Sequence, residues 1–240
     1  MVNTQRGCVG ERRRLATQRM RRRVLSSHEQ FWHVKDFDAP ASTVQHLLNT
    51  LVSAGDLRRV RRGLYWRGVK TALGMSPPPN GRLVRELARG AGVGPAGASA
   101  ANALRLSTQV PRYSLVAVPG RKPADAGTIR FVSRAARSGR RTAGLNGMEV
   151  ALLETLDGWE QLLEVSPDEG WQRLLDLVTN DTVRPDRLAR ASRTEPAAVR
   201  IRLAALLDDA GCAGPASRVP TADRRTVAAA RGSTPAGTDA

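Results

Sequence analysis

The stretch Thr43-Val44-Gln45-His46-Leu47-Leu48-Asn49-Thr50-Leu51-Val52-Ser53-Ala54-Gly55-Asp56-Leu57-Arg58-Arg59-Val60-Arg61-Arg62-Gly63-Leu64-Tyr65 decides how the rest of the chain is read. Val44, Leu47, Leu48, Leu51 and Val52 recur at i, i+3, i+4, i+7, i+8, the spacing of one helix face. Pro40 stands at the expected first helical position, with Asp38 or Ala39 as the cap, and Gly55 supplies a left-handed stop. Leu57-Arg58-Arg59-Val60 and Leu64-Tyr65-Trp66 are then rich in strand formers, and Arg61-Arg62-Gly63 between them fits a hairpin loop.

Working outward toward the N-terminus, residues 11–27 have a helical pattern with Leu15, Met20, Val24 and Leu25 as a thin apolar face. Residues 29–37 read as a second, short helix, and the first ten residues as disordered. Helix, helix, helix, basic hairpin is the order of a winged helix-turn-helix, here spanning residues 10–73. The face of the third helix turned away from the leucines holds Ser42, Thr43, Gln45, His46 and Asn49. A helix fits a major groove ~12 Å wide; Gln and Asn can pair with adenine through two bonds, and Thr offers a methyl to thymine. Arg58, Arg59, Arg61, Arg62 and Arg67 on the hairpin would lie on phosphates or in the minor groove. The bland alternative is a solvated polar helix beside a soluble hairpin. The Arg12–Arg14 and Arg21–Arg23 clusters read either as a solvated face or as phosphate contacts.

Toward the C-terminus, Gly74-Met75-Ser76-Pro77-Pro78-Pro79-Asn80-Gly81 marks a boundary, because consecutive prolines continue neither a helix nor a central strand. A second, mixed α/β domain is expected over 80–211: helices at 82–88 and 99–106, strands at 113–118 and 128–133, then a basic loop at 134–142. Asn146-Gly147-Met148-Glu149 and Ser166-Pro167-Asp168-Glu169 are helix-opening signals, and Thr194-Glu195-Pro196 opens a last helix ending at Gly211. Residues 212–240, dominated by Ala, Pro, Gly, Thr and Ser, read as a disordered tail. The expected class is therefore α+β, a winged helix followed by a mixed domain ending in helices.

Charge supports a polyanion partner. Of 240 residues, 38 are Lys or Arg against 22 acids, a net +16. Only Lys35, Lys70 and Lys122 are lysines. Residues 1–70 carry net +10, 71–150 net +9, and 151–240 net −3. Coding bias toward Arg would raise the whole chain and leaves the acidic last third unexplained. No apolar run approaches ~18 residues, and no signal peptide is expected, so the reading is a cytoplasmic protein without a membrane contact.

Little points to catalysis. Cys8 and Cys212 lie near opposite ends, and His28, His33 and His46 lack metal-ligand spacing. Gly92, Gly94 and Gly97 match a dinucleotide-binding spacing, but helical spacing precedes them, Pro95 interrupts them and no acid follows at the right distance. Glu149, Glu154, Asp157, Glu160 and Glu164 read as the outer face of amphipathic helices whose inner face is Val150, Leu152, Leu153, Leu156 and Trp159. No catalytic residue, cofactor or metal is expected. An Arg-rich nucleic-acid enzyme or accessory subunit stays as the contrasting class, to be recognised by a carboxylate or His cluster in one cleft of the second domain.

The quoted stretch, with its pattern L..LV..G.L.RV.RGLY, resembles the winged-helix start of the AbiEi family of antitoxins. Further along, Ser99-Ala100-Ala101-Asn102-Ala103-Leu104-Arg105-Leu106, Tyr113–Gly120, Ile129-Arg130-Phe131 and the run from Leu145 to Leu156 are similar to the same family, over about residues 10–210. The resemblance implies an antitoxin of a toxin–antitoxin or abortive-infection system. Its N-terminal winged helix would repress its own operon by binding double-stranded DNA at inverted repeats, with Arg58, Arg59, Arg61 and Arg62 on the wing. Its C-terminal domain would counteract a nucleotidyltransferase-like toxin. A stand-alone winged-helix transcription regulator without a toxin partner is the alternative.

Overall fold

The computed structural model describes residues 3–221, with side chains from residue 14 onward. It is mixed α+β and divides into two compact units, Met1–Glu86 and Leu87–Ala240.

In the first unit, helix α1 (Asn3–Leu25) leads to strand β1 (Gln30–His33), a 3-10 turn (Val34–Asp36) and helix α2 (Ala41–Ser53). Strands β2 (Arg58–Arg61) and β3 (Leu64–Arg67) follow, then a small hairpin of β4 (Lys70–Thr71) and β5 (Gly74–Met75), and helix α3 (Asn80–Leu87). Pro40 proves to be the N-cap of α2 rather than its first residue, and Gly55 takes the expected left-handed φ of 70°. β1 and β2 flank β3 in an antiparallel sheet, with a bulge between Arg59 and Arg61. Val44, Leu47, Leu48 and Leu51 of α2 are buried with Val24 of α1, Trp32 of β1, Phe37 and Tyr65 of β3.

Residues 29–37 are therefore not the expected helix. Strand β1 puts the adjacent Phe31 and Trp32 on opposite faces, across from Trp66 and Tyr65 of β3 respectively. The Phe31 and Trp66 rings meet at 4.7 Å. Such aromatic cross-strand pairs favour the sheet over a lone short helix. Glu29, at φ 47°, breaks the chain direction just before the strand. The first ten residues also depart from expectation, since α1 begins at Asn3. The division between units falls after the prolines because α3 is tied back to β1 and the residue before it. His33 Nε2 meets Glu86 Oε1 at 2.8 Å, and an Arg82 guanidinium N–H donates to the Glu29 carbonyl at 2.8 Å.

The second unit contains β6 (Gly94–Pro95), α4 (Ala98–Ala103), β7 (Ser114–Val118), β8 (Ile129–Ser133) and α5 (Gly139–Thr142). Helices α6 (Gly147–Asp157), α7 (Trp159–Leu162), α8 (Pro167–Thr179), α9 (Pro185–Ala191), α10 (Ala197–Asp209) and α11 (Ala213–Ser217) complete it. Its sheet is mixed: β7 is antiparallel to β6 and parallel to β8. The capping signals act as expected. Asn146 and Glu149 exchange hydrogen bonds at 3.0 and 2.7 Å, and Ser166 Oγ accepts from the Glu169 N–H at 3.2 Å.

α6 lies at the centre of the unit and is buried on all sides from Glu149 to Leu156. This corrects the assignment of Glu149 and Glu154 to an outer face, because both are buried. The glycines of the rejected dinucleotide spacing have packing roles here. A Cβ at Gly94 would stand 2.6 Å from Val150 Cβ and 2.7 Å from the Gly147 carbonyl oxygen, so only glycine lets β6 lie against α6. The expected tail also starts too early at residue 212. α11 follows it, and Ala216 and Val219 are buried in the core, while an Arg200 guanidinium holds the Pro220 and Thr221 carbonyls at 3.3 and 3.1 Å. The rest of the expected tail, residues 222–240, lies outside the described residues.

Candidate nucleic-acid interface

α2 buries one side of its helix and turns a polar side outward. Ser42, Thr43, His46 and Asn49 are exposed, and Gln45 is half-buried. The first turn of α2 has no acidic residue and no side-chain cap, and its Thr43 and Val44 N–H groups donate to the Pro40 carbonyl at 2.9 and 3.1 Å. Asn49 is less free than the sequence suggests. Its Oδ1 accepts a 3.0 Å hydrogen bond from the Tyr65 hydroxyl, which fixes the amide's orientation from the sheet side. Sequence reasoning missed that tether, because nothing in the unbroken run Leu64-Tyr65-Trp66, all three buried, says which residue the Tyr65 hydroxyl meets.

The five hairpin arginines separate into two kinds. Arg59, Arg61 and Arg62 are exposed and have no hydrogen-bond or ion-pair partner among the described residues. They surround the turn at Gly63, whose φ of 77° only glycine adopts without strain. Arg58 and Arg67 look to the protein instead. Arg58 donates to the Met75 carbonyl at 3.3 Å, and half-buried Arg67 donates to the Asp56 carbonyl at 3.0 Å. On α1, Arg23 is similarly occupied, donating to the Asp36 carbonyl at 3.0 Å with its guanidinium 5.2 Å from the Trp32 ring centre.

In the second unit the basic residues of the expected loop are mostly internal. Arg140 is buried, with Nε 2.7 Å from Glu195 Oε1 and Nη1 2.6 Å from Glu154 Oε1. Arg134 grips Glu154 through two hydrogen bonds of 2.8 Å, and Arg137 reaches Asp157 at 2.7 Å. Burial pushes the Glu154 carboxyl up, but the hydrogen bonds and charges of Arg134 and Arg140 outweigh it and hold it below the ordinary range. Burial likewise raises Glu149, and hydrogen bonds from Arg184 and from the Asn146 and Arg184 backbone N–H groups bring it below that range. Fully paired carboxylates of this kind make poor general acids or bases. Among the described residues, no group of three His, Cys, Asp or Glu is placed to hold a metal, and no helix is long and apolar enough to cross a membrane.

No family model matches the chain, and no curated protein matches it. Among solved structures it is similar to the RV2827C protein from Mycobacterium tuberculosis, at 18% identity and a TM-score of 0.47, over 87% of this chain and 83% of that one.

Proposed function

We propose that the chain is a DNA-binding antitoxin whose first unit is a winged helix-turn-helix. In this reading α1, the turn before α2, and α2 form the helical part, α2 is the recognition helix, and β2–β3 is the wing. The observation that carries it is the meeting, in one unit, of an outward polar face on α2 with a hairpin tip bearing three arginines that have no partner among the described residues. Ser42, Thr43, Gln45 and His46 would contact base edges or phosphates, and Arg59, Arg61 and Arg62 would supply phosphate charge. Arg58, Arg67 and Asn49 become supporting residues, since each is held by the protein. The sequence resemblance supports the biological role: repression of its own operon at inverted repeats, with the second unit counteracting a nucleotidyltransferase-like toxin.

The test uses the full chain and the DNA upstream of its own coding sequence. Gln45→Ala should cost ~1–3 kcal/mol at the specific site and leave binding to random DNA unchanged. Equal losses on both would mean that α2 does not read bases. Rescue of cells from a nucleotidyltransferase-like toxin encoded beside the gene tests the antitoxin half; growth arrest despite co-expression would remove it.

A further inference from the structure

The Arg-rich helix α1 has a definite geometry toward α2. Arg14, Gln18 and Arg21 stand at i, i+4 and i+7 and so share one face of α1. Thr43, His46 and Leu47 stand at i, i+3 and i+4 on α2. These two faces line a single open cleft of about 450 Å³, floored by buried Leu47. No carboxylate lines it among the described residues. Arg14 and Arg21 are exposed and have no hydrogen-bond or ion-pair partner among the described residues, unlike Arg23 two positions further on. Two uncompensated guanidinium groups beside hydroxyl, amide and imidazole donors suit a ligand made of anionic oxygens.

We propose that this cleft seats the sugar–phosphate backbone of duplex DNA, with Arg14 and Arg21 as its phosphate contacts. The proposal rests on the DNA-binding reading above and adds a second set of backbone contacts, on the side of α2 lined by α1. Thr43 and His46 belong both to the cleft and to the outward face of α2, so a strand bordering the groove that α2 enters passes over the cleft. Arg14 and Arg21 are separated by two helical turns, ~10.5 Å along the axis at 1.5 Å per residue, which places them on different phosphates. A cleft for one small anion has no need of that separation.

The experiment is a salt titration of full-length protein on specific and random duplexes. Arg14→Gln with Arg21→Gln should weaken both equally and reduce the slope of log K against log salt by ~0.9 for each phosphate left unneutralised. A charge-matched pair guards against a folding defect. Gln18→Glu puts an anion in the cleft, and Ala16→Glu puts the same charge on the opposite face of α1. The first should weaken binding about tenfold and the second less than about twofold, with equal melting temperatures. An unchanged slope in the double variant, alongside a reduced slope in a variant lacking the wing arginines, overturns the cleft and leaves DNA binding intact. Unchanged slopes in both overturn the DNA reading itself. Calorimetry with inorganic pyrophosphate covers the other source of phosphate. Loss of pyrophosphate binding in the double variant with DNA affinity unaltered would assign the cleft to a free anion and overturn the proposal.

Discussion

At the tip of the β2–β3 hairpin, three arginines stand in solvent with no partner among the described residues; in the second unit, Arg140 is sealed between Glu154 and Glu195. The flanking sequences look alike, since residues 1–70 and 71–150 carry net +10 and +9. Their physical roles are opposite. An exposed unpaired guanidinium contributes little to folding and is available to a polyanion. A buried one must be matched by carboxylates, because leaving water costs an ion several kcal/mol or more. Net charge by segment therefore overstates how much of the second unit's positive charge is open to a partner. Acids distant in sequence, Glu154, Asp157 and Glu195, consume the charge of Arg134, Arg137 and Arg140.

The largest effect of this contrast is expected at Arg140. Arg140→Ala leaves two buried carboxylates short of a partner and should cost ~3–5 kcal/mol, seen as early unfolding of the second unit in a denaturant titration. A loss below ~1 kcal/mol would mean that the network is not what holds α5, α6 and the start of α10 together.

Acid should separate the units next. Glu149 and Glu154 are held below the ordinary carboxylate range. Their contribution is therefore full above the unfolded value of ~4.3 and is lost as pH falls through the lowered folded values. Hydrogen exchange followed by mass spectrometry should show the second unit opening before the first as pH drops below ~4. Simultaneous opening, or the first unit opening earlier, would break the contrast.

How much of the fold can be read from the sequence follows the range of the interactions. The α2 helix, the β2–β3 hairpin and the Asn146 and Ser166 caps are set by residues within a few positions of one another, and the sequence displays them. β1 is not legible there, because its aromatic residues acquire their pattern only opposite β3, some thirty positions on. The burial of Glu149 and Glu154 is hidden for the same reason, their partners Arg184, Arg134 and Arg140 arriving from other elements. The candidate interface divides similarly. The outward face of α2 follows from periodicity, whereas the tethers on Asn49, Arg58 and Arg67 depend on Tyr65, Met75 and Asp56.

The smallest expected effect on folding accompanies the most direct test of function. Arg59, Arg61 and Arg62 are exposed and unpaired among the described residues, so replacing all three with Ala should change stability by no more than ~0.5 kcal/mol per site. The measurement is the affinity of that full-length triple variant for duplex DNA across a salt series, beside the unaltered chain. A DNA-contacting wing requires weaker binding on every sequence and a slope of log K against log salt reduced by ~0.9 for each phosphate no longer neutralised. An unchanged slope in a variant that melts like the parent would contradict the assignment of the β2–β3 hairpin as that wing.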